Sequence, residues 1–155
     1  MAQNFIKAIK TDNVFAAVTT TANSTLFSDY VDLANYEGCQ LTALFKSTAG
    51  STGTCTFTAV GADSTSTAKA SATAINGASV AVTASTAANG KRVAAIDVYR
   101  PQYRYVAAKL VKKAGLICNG ILAQKYGTRS YPAPASTTYA AATAAAAFDL
   151  VIEGT

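Results

Sequence analysis

Cys39-Gln40-Leu41-Thr42-Ala43-Leu44-Phe45-Lys46 and, after Ser47–Gly53, Thr54-Cys55-Thr56-Phe57-Thr58-Ala59-Val60 decide the fold. Successive side chains of an extended chain point to opposite faces, so period two separates a core face from a solvent face. In the first run Cys39, Leu41 and Ala43 point one way and Gln40 and Thr42 the other. In the second, Cys55, Phe57 and Ala59 oppose Thr54, Thr56 and Thr58. Two half-buried strands joined by a short Gly/Ser connection predict an antiparallel hairpin.

Working outward, the same pattern recurs in short bursts. Val14–Val18 predicts a strand after a turn at Asp12-Asn13. Asp29–Leu33 alternates, with Tyr30 and Asp32 on one face and Val31 and Leu33 on the other, and a turn at Asn35–Gly38 follows. Gly61–Gly77 is small and polar and predicts a loop or a weak edge strand, ordered against a partner if at all. Ala78–Thr83 predicts a strand before a turn at Asn89-Gly90. Val93–Tyr99 and Tyr103–Val111 predict strands separated by Pro101, which cannot donate to a ladder. Leu116–Cys118 leads to Asn119-Gly120, a hairpin dipeptide, and then to a strand over Ile121–Tyr126. These expectations give an all-β protein: an antiparallel β-sandwich of jelly-roll type with about eight strands, occupying residues 1–129. Residues 130–155, rich in Pro and Ala, predict a C-terminal arm, extended over Ser130–Ser136 and either helical or extended over the Ala-rich Tyr139–Phe148, ending in a possible strand over Phe148–Ile152.

Composition narrows the function. The 155 residues hold no histidine, which removes the usual participant from nucleophilic triads and from most zinc sites. The eight carboxylates are scattered, and no Gly-rich stretch has the lysine and context of a phosphate-binding loop. A non-enzymatic protein is expected, with no catalytic residues, no cofactor and no metal. The three cysteines, Cys39, Cys55 and Cys118, have no metal-binding spacing and are expected as buried free thiols. No apolar stretch of signal-peptide length opens the chain and no window reaches bilayer length, so cytoplasmic synthesis and no membrane partner are expected.

One constellation carries chemistry. Of thirteen basic residues, nine fall between Lys91 and Arg129, where Asp97 is the one acidic residue. A basic contact face is expected there, with Arg92, Arg100, Tyr103, Arg104, Lys109, Lys112 and Lys113 as interface candidates. Lys112 and Lys113 read as a turn, where lysine serves equally as edge protection. Arg100 and Arg104 flank tyrosines, and planar Arg/Tyr groups are ordered at low entropic cost in contact surfaces. Interleaved tyrosines could also stack bases, but a net charge of +5 is modest, and Tyr103 and Tyr105, on one face, suit a sandwich core equally. Nucleic acid is therefore not the expected partner. A sugar-binding jelly roll of a fibre or secreted protein is the alternative, disfavoured by the lack of tryptophan.

Asp32-Leu33, then Tyr36-Glu37-Gly38 before an alternating strand, and later Tyr103-Arg104-Tyr105-Val106, resemble the capsid cement or decoration proteins of tailed bacteriophages across residues 3–126. Ala62-Asp63-Ser64 stands where that family carries a more acidic stretch, and the arm beyond Ser130 has no counterpart. The resemblance implies a jelly-roll fold, dimers or trimers, no catalysis, and attachment to the outside of the phage head, where the partner is the major capsid protein.

Overall fold

The alternation of the two quoted runs is borne out from Cys39 to Phe45 and from Thr54 to Ala59, and ends at Val60, which is also buried. Cys39, Leu41, Ala43, Phe45, Cys55, Phe57 and Ala59 are all at most 1% exposed. A computed structural model describes residues 9–15, 22–48, 50–84 and 91–127. The expected arm 130–155 with its strand, the Asn89-Gly90 turn and most of Val14–Val18 lie outside the described residues. Within them the chain is all-β, with nine strands: β1 Lys10–Phe15, β2 Ser24–Phe27, β3 Val31–Asp32, β4 Gly38–Ser47, β5 Thr54–Ala62, β6 Thr73–Thr83, β7 Lys91–Tyr99, β8 Tyr105–Lys112 and β9 Leu116–Tyr126. Asp12-Asn13, expected as a turn, lies inside β1.

The strands form two antiparallel sheets, ordered β1-β9-β4-β7 and β2-β8-β5-β6, with β3 also paired to β8. The pairs β1/β9, β2 and β3/β8, β4/β7 and β5/β6 nest like one long hairpin rolled on itself, which is the jelly-roll plan. Between β2 and β3 Ser28 maintains the attachment to β8: its N–H donates to the Ala108 carbonyl at 2.9 Å, and its hydroxyl accepts from the Ala108 N–H at 2.8 Å. The two short strands thus act as one interrupted strand.

Two turn expectations are corrected by this topology. β4 and β5 do not form a hairpin: β4 pairs with β7 and β9, and β5 with β6 and β8. Period two fixes which face is buried, and two such faces satisfy it across the core as well as side by side. Asn119-Gly120 is not a turn either. Leu44 lies opposite Gly120 and Phe45 opposite Cys118, leaving Asn119 as the extra residue of a β-bulge inside β9. The bulge resets parity, so Cys118 and Ile121 both face inward although three residues apart. The polar Gly61–Gly77 stretch divides: a connection over 63–72, then β6 from Thr73, an edge strand on β5.

The three thiols are free and 0% exposed. Burial pushes Cys39 up from 9.0 to about 12 and Cys55 up to about 11, and raises Cys118 as well. A raised thiol pKa keeps the folded state protonated while the unfolded chain ionises, so its contribution is complete below pH 9 and is lost above it. By pH ~10 Cys39 and Cys55 should each withdraw about 1.4 kcal/mol of stability. Urea unfolding at a series of pH values checks this, and Cys39→Ala/Cys55→Ala should flatten the alkaline fall.

Candidate functional site

In this topology the connections gather at two opposite rims. One rim carries 33–37, 63–72 and 100–104; the other carries Ala22-Asn23, Thr48, 50–53 and 113–115. Strands consecutive in sequence mostly alternate between sheets and reverse direction, so the basic cluster in sequence is not one face in space. Arg100, Tyr103 and Arg104 come together at the first rim. Arg92 and Lys113 lie toward the opposite rim with Lys46 and Lys91, while Lys109 sits midway along β8, its ammonium 6.0 Å from the Phe27 ring centroid. The six carboxylates among the described residues, Asp12, Asp29, Asp32, Glu37, Asp63 and Asp97, all lie toward the first rim.

The placement of Lys112 at an exposed turn is corrected. It ends β8 on the same parity as Val106, Ala108 and Leu110, and is 1% exposed with its ammonium donating to the Ala22 carbonyl at 2.7 Å. Burial holds its pKa below the usual lysine range, with Cys55 and Cys118 acting in the opposite sense. Lys112 is therefore a closing piece of the core beneath the second rim. Methionine would keep the apolar stem and remove the buried charge, so Lys112→Met should hold or raise unfolding free energy, within about 1 kcal/mol. Chemical denaturation measures this; a loss well above 1 kcal/mol would instead show that the ammonium's bond to the Ala22 carbonyl outweighs the cost of burying its charge.

The first rim is built on ordered arginines. Arg104 grips Asp32 with both ends of its guanidinium, Nε to Oδ1 at 2.9 Å and Nη2 to Oδ2 at 2.8 Å, and lies 5.0 Å from the Tyr105 ring centroid. Arg100 donates from Nη2 to Glu37 Oε1 at 3.1 Å and lies 5.1 Å from the Tyr99 centroid. The hydrogen bonds raise the pKa of both arginines, and the one from Arg104 lowers that of Asp32. Both guanidinium groups remain exposed, at 67% and 54% of their side-chain surface.

The backbone is committed to this arrangement. Arg100 has φ 45°, the one positive φ among the described non-glycine residues, and it precedes Pro101. Its N–H donates to the Glu37 carbonyl at 2.7 Å, and the Glu37 N–H donates to the Tyr126 carbonyl at 3.1 Å. A left-handed arginine costs about 1 kcal/mol or more, tolerated where surrounding contacts over-determine it.

Tyrosines close the rim from both sides. The expectation that Tyr103 and Tyr105 share a face fails, because 100–104 is a turn and not strand. Tyr103 packs where a side chain on Gly61 would stand, and Gly61 has the inward parity of β5. Tyr105 instead meets Tyr30 edge-on, centroids 6.3 Å apart, and Tyr30 donates its hydroxyl to the Thr67 carbonyl at 3.1 Å. Lys69 pairs with Asp29 at 2.7 Å, which ties the 63–72 connection to the same rim. Leu33, Ala34, Tyr36, Pro101 and Gln102 line the shallow groove between the arginines. Sequence reasoning missed Asp32 and Glu37 as the residues that hold the arginines in place. Asp32 ends the two-residue strand β3 and Glu37 sits in the turn before β4, and neither position gives a local signal of partners 72 and 63 residues away.

Among the described residues no group of three potential metal ligands comes together, and no helix is long and apolar enough to cross a membrane. No protein-family model and no curated protein matches the chain. Among solved structures the chain is similar to the crystal structure of PBSX exported protein XepA. The match has a TM-score of 0.48 and 15% identity and covers 88% of this chain and 42% of that one, so this chain spans less than half its length.

Proposed function

We propose that this is a non-catalytic structural protein of a virion, a capsid cement or decoration protein that binds the outside of the phage head and bridges neighbouring major capsid subunits. The observation that carries the reading is the pair Arg100 and Arg104: exposed, yet each already held by a carboxylate and set beside a tyrosine. Long cationic side chains lose rotamer freedom on docking, and a rim that has ordered them beforehand avoids much of that loss. The strained backbone at Arg100 supports a contact role for the same turn. The jelly-roll plan and the sequence resemblance agree with it. Binding to the assembled shell alone would stabilise that shell by mass action, and several anchored copies would add avidity.

Co-sedimentation with expanded heads tests the reading. The protein should saturate a fixed number of sites and raise the heat resistance of the particles. Arg100→Ala/Arg104→Ala should weaken binding by roughly tenfold or more while the fold survives, since both side chains are exposed. Unchanged occupancy would remove the two arginines from the interface. Binding to a glycan array with no affinity for heads would replace the reading with sugar recognition.

A further inference from the structure

A sheet edge is a row of unpaired backbone donors and acceptors, and among the described residues three of the four edges are interrupted. β1 has six residues and a register shift between Asn13 and Phe15. The β2/β3 edge is split into four residues and two. β6 loses register opposite Thr58–Val60 and carries Gly77 at φ 75°. The fourth edge, β7, differs: nine residues, no Gly or Pro, and unbroken register with β4 from Lys91 opposite Lys46 to Tyr99 opposite Gly38. Regular edges of this length are ordinarily blunted, because they recruit another strand.

Three of the four exposed large hydrophobic residues among the described residues lie on the outer face of β7 and its neighbour β4. Val93 is 65% exposed, Tyr99 56%, and Leu44, directly opposite Val93, 38%. Lys91, Ala95 and Asp97 complete that face. Asp97 Oδ1 accepts from the Tyr126 hydroxyl at 2.6 Å, and Lys91 and Asp97 place opposite charges toward the two ends of the face, where a second copy can meet them. A two-fold axis through Ala94 sets Lys91 of one copy opposite Asp97 of the other, twice, and sets Val93 opposite Ala95. Paired positions then always have equal parity. Whichever set of backbone N–H and C=O groups points away from β4 therefore meets its counterpart in the second copy.

We infer that β7 is the homodimer interface: two copies pair their β7 strands antiparallel about Ala94 and join their four-stranded sheets into one of eight strands. Main-chain hydrogen bonds supply the pairing, the crossed Lys91–Asp97 pairs set the register, and burial of Val93 adds hydrophobic contact. This concerns the isolated protein and stands apart from the capsid reading, which is tested on particles.

Sedimentation equilibrium of the full chain across the micromolar range decides it. The native protein should be a monomer–dimer system. Asp97→Lys, which opposes Lys91 to lysine, should raise the dissociation constant by roughly tenfold or more, and Lys91→Asp should do the same. The exchange Lys91→Asp/Asp97→Lys should restore dimerisation, an outcome specific to this register. Val93→Lys, at an exposed position, provides a second disruption independent of Asp97. A native protein monomeric at about 100 µM would overturn the inference, as would a trimer, a dimer indifferent to Asp97→Lys, or a charge exchange that fails to rescue. A monomer whose β7 amides exchange slowly would also overturn it, because the chain would then cover its own edge.

Discussion

Asp12→Ala should lower the free energy of unfolding by about 3–5 kcal/mol, because it breaks a largely buried ion pair. Asp12 shares the inward parity of Val14 on β1, and Lys125 that of Ile121 and Ala123 on β9, so the two meet inside the sandwich. Lys125 Nζ lies 2.9 Å from Asp12 Oδ2, with side chains only 8% and 18% exposed. The ammonium also lies 5.1 Å from the centroid of Tyr36, whose own hydroxyl is buried without a hydrogen-bond partner among the described residues. Tyr36 thus contributes its ring, and the Asp12 carboxylate contributes the counter-charge. Removing that carboxylate leaves a buried cation whose desolvation is no longer offset. Replacing both partners by apolar groups removes the cause, so Asp12→Leu/Lys125→Met should recover most of the loss. Urea unfolding of the three proteins measures this. A single-variant loss below about 1 kcal/mol would mean that water reaches the pair.

Two buried lysines, Lys112 and Lys125, mark where the sequence was legible and where it was not. Val106, Ala108, Leu110 and Lys112 share one parity, as do Ile121, Ala123 and Lys125, so strand period alone places both lysines inward. Charge points the other way, and Lys112 next to Lys113 reads as a solvated turn. The core end wins because a lysine stem is apolar and its ammonium needs only a nearby acceptor, here the Ala22 carbonyl. Strand existence and burial were legible along Cys39–Phe45 and Cys55–Ala59, where every second residue is apolar. Sheet membership was not, because parity does not say whether two apolar faces lie side by side or across the core. That difference scattered the basic cluster. Arg92 and Arg100 are separated by the length of β7 and sit toward opposite rims, although eight positions apart in sequence. The Arg100/Arg104 pair survived because one turn holds both.

Gly61→Val should destabilise the fold by about 2–3 kcal/mol and weaken docking at the arginine rim in the same step. A Cβ at Gly61 would lie 2.3 Å from Tyr103 Cδ2, 2.6 Å from Cγ and 2.8 Å from Cβ. These atoms are at the root of the ring, so a small rotation of the side chain does not clear them; the ring has to leave. Tyr103 packs at the end of the β5/β8 pair, where Gly61 lies opposite Val106 and Ala62 opposite Tyr105 in the register. Its departure moves the 100–104 turn, and with it Arg104, whose grip on Asp32 depends on the position of that turn. Gly61→Val/Tyr103→Gly returns the space to the valine and should recover part of the stability. It should not recover docking, because the turn then lacks the ring that seats it. Unfolding free energy and head co-sedimentation, read on the single and double variants, separate the two roles. If docking returned together with stability, the Tyr103 ring would be a filler of the core and not a support of the rim.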